Sequence, residues 1–407
     1  MSASMPADKS MRLLLFLSLF NSILGLSILF PILAPLGRAL RLSEVEIGWL
    51  STGYSLMQFA MSPFWGRRSE RVGRKPVLLI GIFGFGIGFG LFGIVAKLGM
   101  DGYLHGTALY GALLATRLIG GLLSSATIPT AQAYMADVTD RDGRTSGMAL
   151  IGAAFGLGVV FGPGLGAALA QLGLLVPVFV SASVAFLNGV FVIFRLPEPV
   201  RREHLDEFAP PVSLLLRVWP LLALGFAVTL AGVAMEQTIA FLFQDVMNLT
   251  DVQTARFVGV ALVCYGIAAV LAQGFIARRR GWPPLRLLLW GVPVAALGFA
   301  GLALASHFGA LTAALALQGL GQGLAMPGIA AALSLGVGDS EQGAAAGLNS
   351  ASQALSRTVG PLVGTALYEI RPRLPYEFSV ALLLLVLIVV ALSPELRRRV
   401  SGASAAA

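Results

Sequence analysis

Gly66-Arg67-Arg68-Ser69-Glu70-Arg71-Val72-Gly73-Arg74-Lys75 places five cations in ten residues of an otherwise strongly apolar chain. Apolar runs of about 20 residues flank it, long enough as helices to cross roughly 30 Å of hydrocarbon. Such a loop fixes topology, because short Lys- and Arg-rich connections stay on the cytoplasmic face. The whole composition agrees. With 57% hydrophobic and 12% charged residues and a mean hydropathy of +0.83, the chain is no ordinary soluble domain, whose charged share is about a quarter.

Outward from this loop, hydropathy predicts twelve helical spans, at 12–36, 47–66, 76–97, 107–134, 145–171, 175–196, 214–243, 255–277, 285–305, 308–335, 343–369 and 376–393. None alternates in the manner of a membrane barrel. The first is too long for a signal-peptide core and lacks a small-residue cleavage site, so it is predicted to be retained. With the amino terminus in the cytoplasm, 20 of the 28 Lys and Arg fall on that side and six on the other, while Arg117 and Arg357 lie inside spans. Both termini are therefore predicted cytoplasmic, in a multi-pass inner-membrane protein. The basic balance is topological and implies no nucleic-acid partner. A lone Cys264 excludes a disulfide framework, and His105, His204 and His307 are too dispersed to hold a metal.

A Pro- and charge-rich stretch from Leu196-Pro197-Glu198-Pro199 to Pro210-Pro211 divides the chain into 1–196, a linker at 197–213, and 214–407. The halves repeat. Gly162-Pro163-Gly164-Leu165-Gly166-Ala167-Ala168-Leu169 recurs as Gly360-Pro361-Leu362-Val363-Gly364-Thr365-Ala366-Leu367, and Gly66 and Gly73 recur as Gly274 and Gly281 around Arg278-Arg279-Arg280. A duplicated six-span unit follows, an all-α membrane fold of two pseudo-symmetric bundles. Gly88-x-Gly90-x-x-Gly93 matches a dinucleotide pattern but lies inside an apolar span with no preceding strand, so helix packing explains it. Asn248-Leu249-Thr250 is a glycosylation sequon, meaningful only in a secretory pathway.

The decapeptide resembles the loop signature of the major facilitator superfamily, Gly-x-x-x-Asp-Arg-x-Gly-Arg-Arg/Lys between spans 2 and 3. Gly66, Arg71, Gly73, Arg74 and Lys75 fit it, and Glu70 stands where Asp is usual. In span 5, Gly158-x-x-x-Gly162-Pro163-x-x-Gly166-Ala167 resembles the antiporter signature of that family's drug exporters, whose last position is usually Gly. Arg117-x-x-x-Gly121 resembles its span 4 arginine motif. The resemblance implies a twelve-span carrier working by alternating access, a drug:proton antiporter with a small-molecule substrate, protons as the driving partner, lipid around it, no cofactor, no ATP, and a monomeric state. The alternative is a metabolite carrier for a sugar or organic acid. The resemblance also sets Asp137 against Glu70 and Arg71 as an ion cluster latching the outward-open state.

Charges inside spans are costly and point to cargo or protons. Glu236 in span 7 is the candidate proton carrier or the counter-charge to a cationic substrate, unless it reaches water at the outer rim, where Asp245 is placed. Arg117 has three candidate roles: tuning a carboxylate during proton exchange, contacting substrate, or binding backbone carbonyls. Arg357 is a second buried cation, paired with Glu236, with an anionic part of the substrate, or structurally. Span 1 departs from tetracycline-type exporters, with Asn21 and Ser22 where they carry an Asp, so coupling is predicted elsewhere. Asn21, Tyr54, Gln58, Gln132 and Phe155 in the first half are candidates for a central cavity. Gln237, Phe241, Tyr265, Gln318, Asn349 and Gln353 are their counterparts in the second. Together they suit a hydrophobic or amphipathic compound.

Overall fold

The computed structural model describes residues 9–138, 144–199, 212–277, 282–338 and 341–392. Among the described residues every regular element is helical. The first half contains α1 (Lys9–Ser27), α2 (Leu33–Ala39), α3 (Glu44–Val72), α4 (Arg74–Met100), α5 (Gly106–Ser124), α6 (Thr127–Val138), α7 (Arg144–Ala170) and α8 (Val176–Arg195). The second contains α9 (Val212–Met247), α10 (Asp251–Leu271) running into a π-turn (Ala272–Ala277), α11 (Pro284–Leu304), α12 (Phe308–Leu335), α13 (Gln342–Ile370) and α14 (Leu374–Leu392). These are the twelve predicted spans, with spans 1 and 4 each in two pieces. The breaks have a local cause. Pro31 and Pro129 lack the N–H that would bond the carbonyls of Ser27, the last residue of α1, and Ser125, the C-cap of α5.

The chain falls into two compact units, Met1–Leu205 with Asp251–Gly259, and Asp206–Thr250 with Val260–Ala407. The opening turns of α10 group with the first unit.

In the first unit α1 packs on α7, and α4 packs on α5 and α8. The second repeats this scheme, with α9 on α13 and α11 on α12 and α14. The recurring Gly-Pro octapeptide is the physical mark of the repeat. A Cβ at Gly162 would strike Ser27 Oγ, and one at Gly166 the carbonyl of Ile28. Likewise a Cβ at Gly360 would lie 2.7 Å from Val233, and one at Gly364 2.8 Å from Ala234. The fifth helix of each half thus lies bare against the first, the close approach that replaces hydrophobic driving force between helices in lipid. Ser27 Oγ donates to the Gly158 carbonyl across that seam at 2.7 Å. Gly88 and Gly93 likewise abut Gly120 and Phe179, so the dinucleotide-like pattern is packing.

The first unit's core gathers Leu15, Leu19, Leu78, Ile82, Tyr134 and Val192, and the second packs Ala272, Leu287 and Leu324 with Trp282. Large side chains such as Leu187, Phe194, Trp290 and Leu385 are exposed, as a lipid-facing surface requires. Among the described residues six helical stretches are long and apolar enough to cross a membrane, and shorter apolar stretches run over Leu13–Ser27, Gly156–Ala170 and Leu374–Val390.

Candidate functional site

The decapeptide forms the hinge between α3 and α4. Gly73 adopts φ +120°, where any side chain is strained, and a Cβ there would lie 2.9 Å from Glu198 Oε1. The Glu198 carboxylate accepts from the backbone N–H of Arg74 and, at 3.0 Å, from that of Lys75, capping the positive end of α4. Lys75 Nζ donates to the Ile193 carbonyl at 2.7 Å, and the Tyr134 hydroxyl donates to the Pro197 carbonyl at 2.5 Å. Arg74 turns inward. Its Nε donates to Asp137 Oδ2 at 2.8 Å and its Nη1 to Ser69 Oγ at 2.7 Å, with side chains only 5% and 1% exposed for Arg74 and Asp137.

The loop and Asp137 meet through Arg74, one of the predicted gating residues. Asp137 pairs with the Arg74 guanidinium inside the fold. Glu70 and Arg71 emerge on the exposed side of the last turn of α3 and lie outside the buried pair. Gly66 contributes its carbonyl, which accepts from Ser69 Oγ at 2.7 Å. Glu198 belongs to the Pro- and charge-rich stretch between the halves. We expect Glu198→Ala to cost about 1 kcal/mol, the usual value of a lost cap, with Glu198→Gln milder because its amide oxygen still accepts. Thermal unfolding in detergent measures both.

Arg117 in α5 is buried at 5% exposure and held by aromatic faces. Its guanidinium lies 4.5 Å from the ring centre of Tyr54 and 5.5 Å from those of Phe89 and Phe92, while Nε donates to the Leu50 carbonyl at 3.4 Å. Gly121 makes this possible, since its bare Cα lets the Tyr54 backbone approach. Tyr54 and Ser124 share a 2.7 Å hydrogen bond, and Gln58 Nε2 donates to the Tyr54 hydroxyl at 3.3 Å. Among the described residues no carboxylate pairs with Arg117 at contact distance. Of its three candidate roles, the geometry matches carbonyl and ring binding, which desolvated cation–π contacts repay.

The second unit holds the other cluster. Glu236 sits half-buried on α9, eleven residues before its end, and interacts electrostatically with Arg357 of α13 and the Tyr265 phenol of α10. The Tyr265 hydroxyl donates to Gln322 Oε1 at 3.0 Å, and Gln318 Nε2 donates to the same oxygen at 2.9 Å. Gln322 was not among the predicted residues. Its signal was the Gln318-x-x-x-Gln322 spacing, which puts two amides on one face of an apolar helix. Arg357 is exposed rather than buried as predicted, because it shares an uncovered face of α13 with Ala346 and Ser350. A guanidinium exposed midway along an apolar helix suits a water-lined path rather than lipid. Asp245 is exposed, as expected of a rim, and accepts from the Tyr368 hydroxyl at 2.6 Å.

The remaining cavity candidates divide. Asn21 is buried in α1, and Gln237, Asn349 and Gln353 are half-buried. Phe241 is 0% exposed against Tyr368, so it is core rather than lining, and Gln132 is exposed. The side chain of Phe155 lies outside the described residues, as do Arg278, Arg279, Arg280 and Gly281 of the second loop copy.

A family model described as Major Facilitator Superfamily matches residues 15–314 and 254–406. The chain belongs to the Major Facilitator Superfamily. It is therefore a membrane carrier, not an enzyme. Within the superfamily it is 25% identical over 390 residues to "Multidrug resistance protein 2" of Bacillus subtilis (strain 168), covering 93% of this chain and 94% of that protein. It is 30% identical over 361 residues to "Tetracycline resistance protein, class C" of Escherichia coli, covering 84% and 86%. The superfamily fold is matched by the crystal structure of a bacterial homolog to the human lysosomal transporter Spinster, at TM-score 0.74 and 14% identity, covering 96% and 97%.

Proposed function

We propose that this chain is a proton-coupled exporter of hydrophobic or amphipathic drug-like compounds, an antiporter working by alternating access with both termini in the cytoplasm. One observation carries the reading. Glu236 stands in an apolar helix facing a cation and a phenol, yet among the described residues it is closed into no contact ion pair, so it is free to exchange a proton. The bare seam of α7 on α1 supports a carrier whose helices slide and bend, and the Lys and Arg asymmetry supports the orientation. Relatives named for multidrug and tetracycline resistance support the substrate class. The chain's Asn21 in place of an acid in span 1 argues for coupling through the second unit.

A susceptibility panel in an exporter-deficient bacterial host tests this directly. Expression is expected to raise the inhibitory concentration of several amphipathic antimicrobials at least about fourfold, that is two twofold dilution steps. Collapsing the proton gradient is expected to abolish the difference. Resistance that survives collapse, or none to any compound alongside proton-linked sugar or organic-acid flux, overturns the reading.

A further inference from the structure

Gln322 lies where three helices converge. It accepts from Tyr265 of α10 and from Gln318, one turn earlier on α12, through a single oxygen. Two glycines make the meeting possible. Gly319 lets the Tyr265 ring lie flat on α12, a Cβ there falling 2.8 Å from Tyr265 Cδ2. Gly232 lets the Gln322 amide rest on α9, a Cβ there falling 3.2 Å from both Oε1 and Nε2. Gly232 precedes Glu236 by four residues, so the amide and the carboxylate occupy the same face of α9 in successive turns.

We propose that Gln322 is a positioning residue of the proton site, committing the Tyr265 hydroxyl proton to itself and so withholding it from Glu236. The inference rests on Glu236 being the proton carrier. A phenol has one proton to donate. While Gln322 Oε1 takes it, that proton is committed to the amide, and among the described residues the Glu236 carboxylate has no hydrogen-bond donor that would favour its charged form. The other groups around Glu236 leave this lever to the phenol. Arg357 of α13 is the facing cation, Gln318 and Gln322 of α12 are neutral, and Tyr376 of α14 is engaged by Thr238 at 3.1 Å and faces Asp245.

The test is pH-dependent infrared difference spectroscopy on the purified full-length protein, which needs no substrate. The protonated-carboxyl stretch of Glu236 is assigned by its loss in Glu236→Gln. Gln322→Met and Gln322→Ala remove the acceptor with and without the side-chain volume, so folding of either suffices. Each is expected to move the Glu236 titration toward acid by at least about half a pH unit, because the freed hydroxyl turns toward the carboxylate. Tyr265→Phe alone is expected to leave the midpoint in place, and added to either Gln322 variant it returns the midpoint to that of the parent, a non-additivity that a packing defect does not produce. An unmoved midpoint in the Gln322 variants, or a shift that persists with Tyr265→Phe, overturns the positioning role. A parent protein with no Glu236 band in the titration overturns the carrier reading instead.

Discussion

Glu236→Gln is expected to reduce pH-gradient-driven export to the background of empty vesicles while leaving the protein folded and able to exchange substrate down its own gradient. Glutamine keeps the volume of the side chain and one acceptor oxygen, so packing on α9 and the neighbouring Gly232–Gln322 contact are preserved. What disappears is the carboxylate that interacts with Arg357 and Tyr265. A charge in an apolar helix carries a cost of several kcal/mol that only a function repays. Removing it should therefore leave the apparent melting temperature in detergent unchanged or raised. Glu236→Asp retains the titratable group on a shorter arm and is expected to transport at a reduced but measurable rate. Proteoliposomes with an imposed pH gradient separate the cases, and full pH-driven flux through Glu236→Gln would reject the assignment of the carrier.

The sequence was legible wherever one-dimensional rules decide. Span lengths follow from the thickness of hydrocarbon, so all twelve predicted spans coincide with helices to within a few residues at each end. The Gly162-Pro163 and Gly360-Pro361 repeats were equally readable, because a bare helix face has a fixed spacing whichever helix it meets. The site was less so, since its partners come from distant segments. Arg71 and Arg74 are near-equivalent in a charge count. Only the turn at Gly73 decides which of them points at Asp137. Glu198 reads as a linker charge until the exit of α8 brings it over the first turn of α4. Phe89 and Phe92 look like ordinary lipid-facing residues of an apolar run, and become a cage for Arg117 only once α4 packs on α5. Gln322 hid for the same reason. Its meaning depends on Tyr265, brought alongside by a glycine on a different turn of the same helix.

Asp137→Ala should be the most destabilising single change at the loop. It leaves the Arg74 guanidinium with its buried neighbours and no counter-charge, a situation that costs roughly 3–5 kcal/mol in comparable buried pairs. At about 2–4 °C per kcal/mol for a unit of this size, the apparent melting temperature should fall by roughly 6–20 °C. Asp137→Asn should lose less, since an amide oxygen still accepts from Arg74 Nε. The decisive comparison is the double variant Arg74→Leu/Asp137→Leu. Removing both charges also removes the desolvation penalty of each, so it should be more stable than either single variant. If instead the double variant loses the sum of the singles, the pair is not a coupled buried unit. Transport then reports what stability cannot. Ser69 and Gly66 are tied to Arg74, and Glu198 to the same turn, so hydrogen bonds and the ion pair join the turn between α3 and α4 to α6 and the exit of α8. A double variant that recovers its stability yet transports slowly would assign the ion pair to the motion of the carrier rather than to its folding.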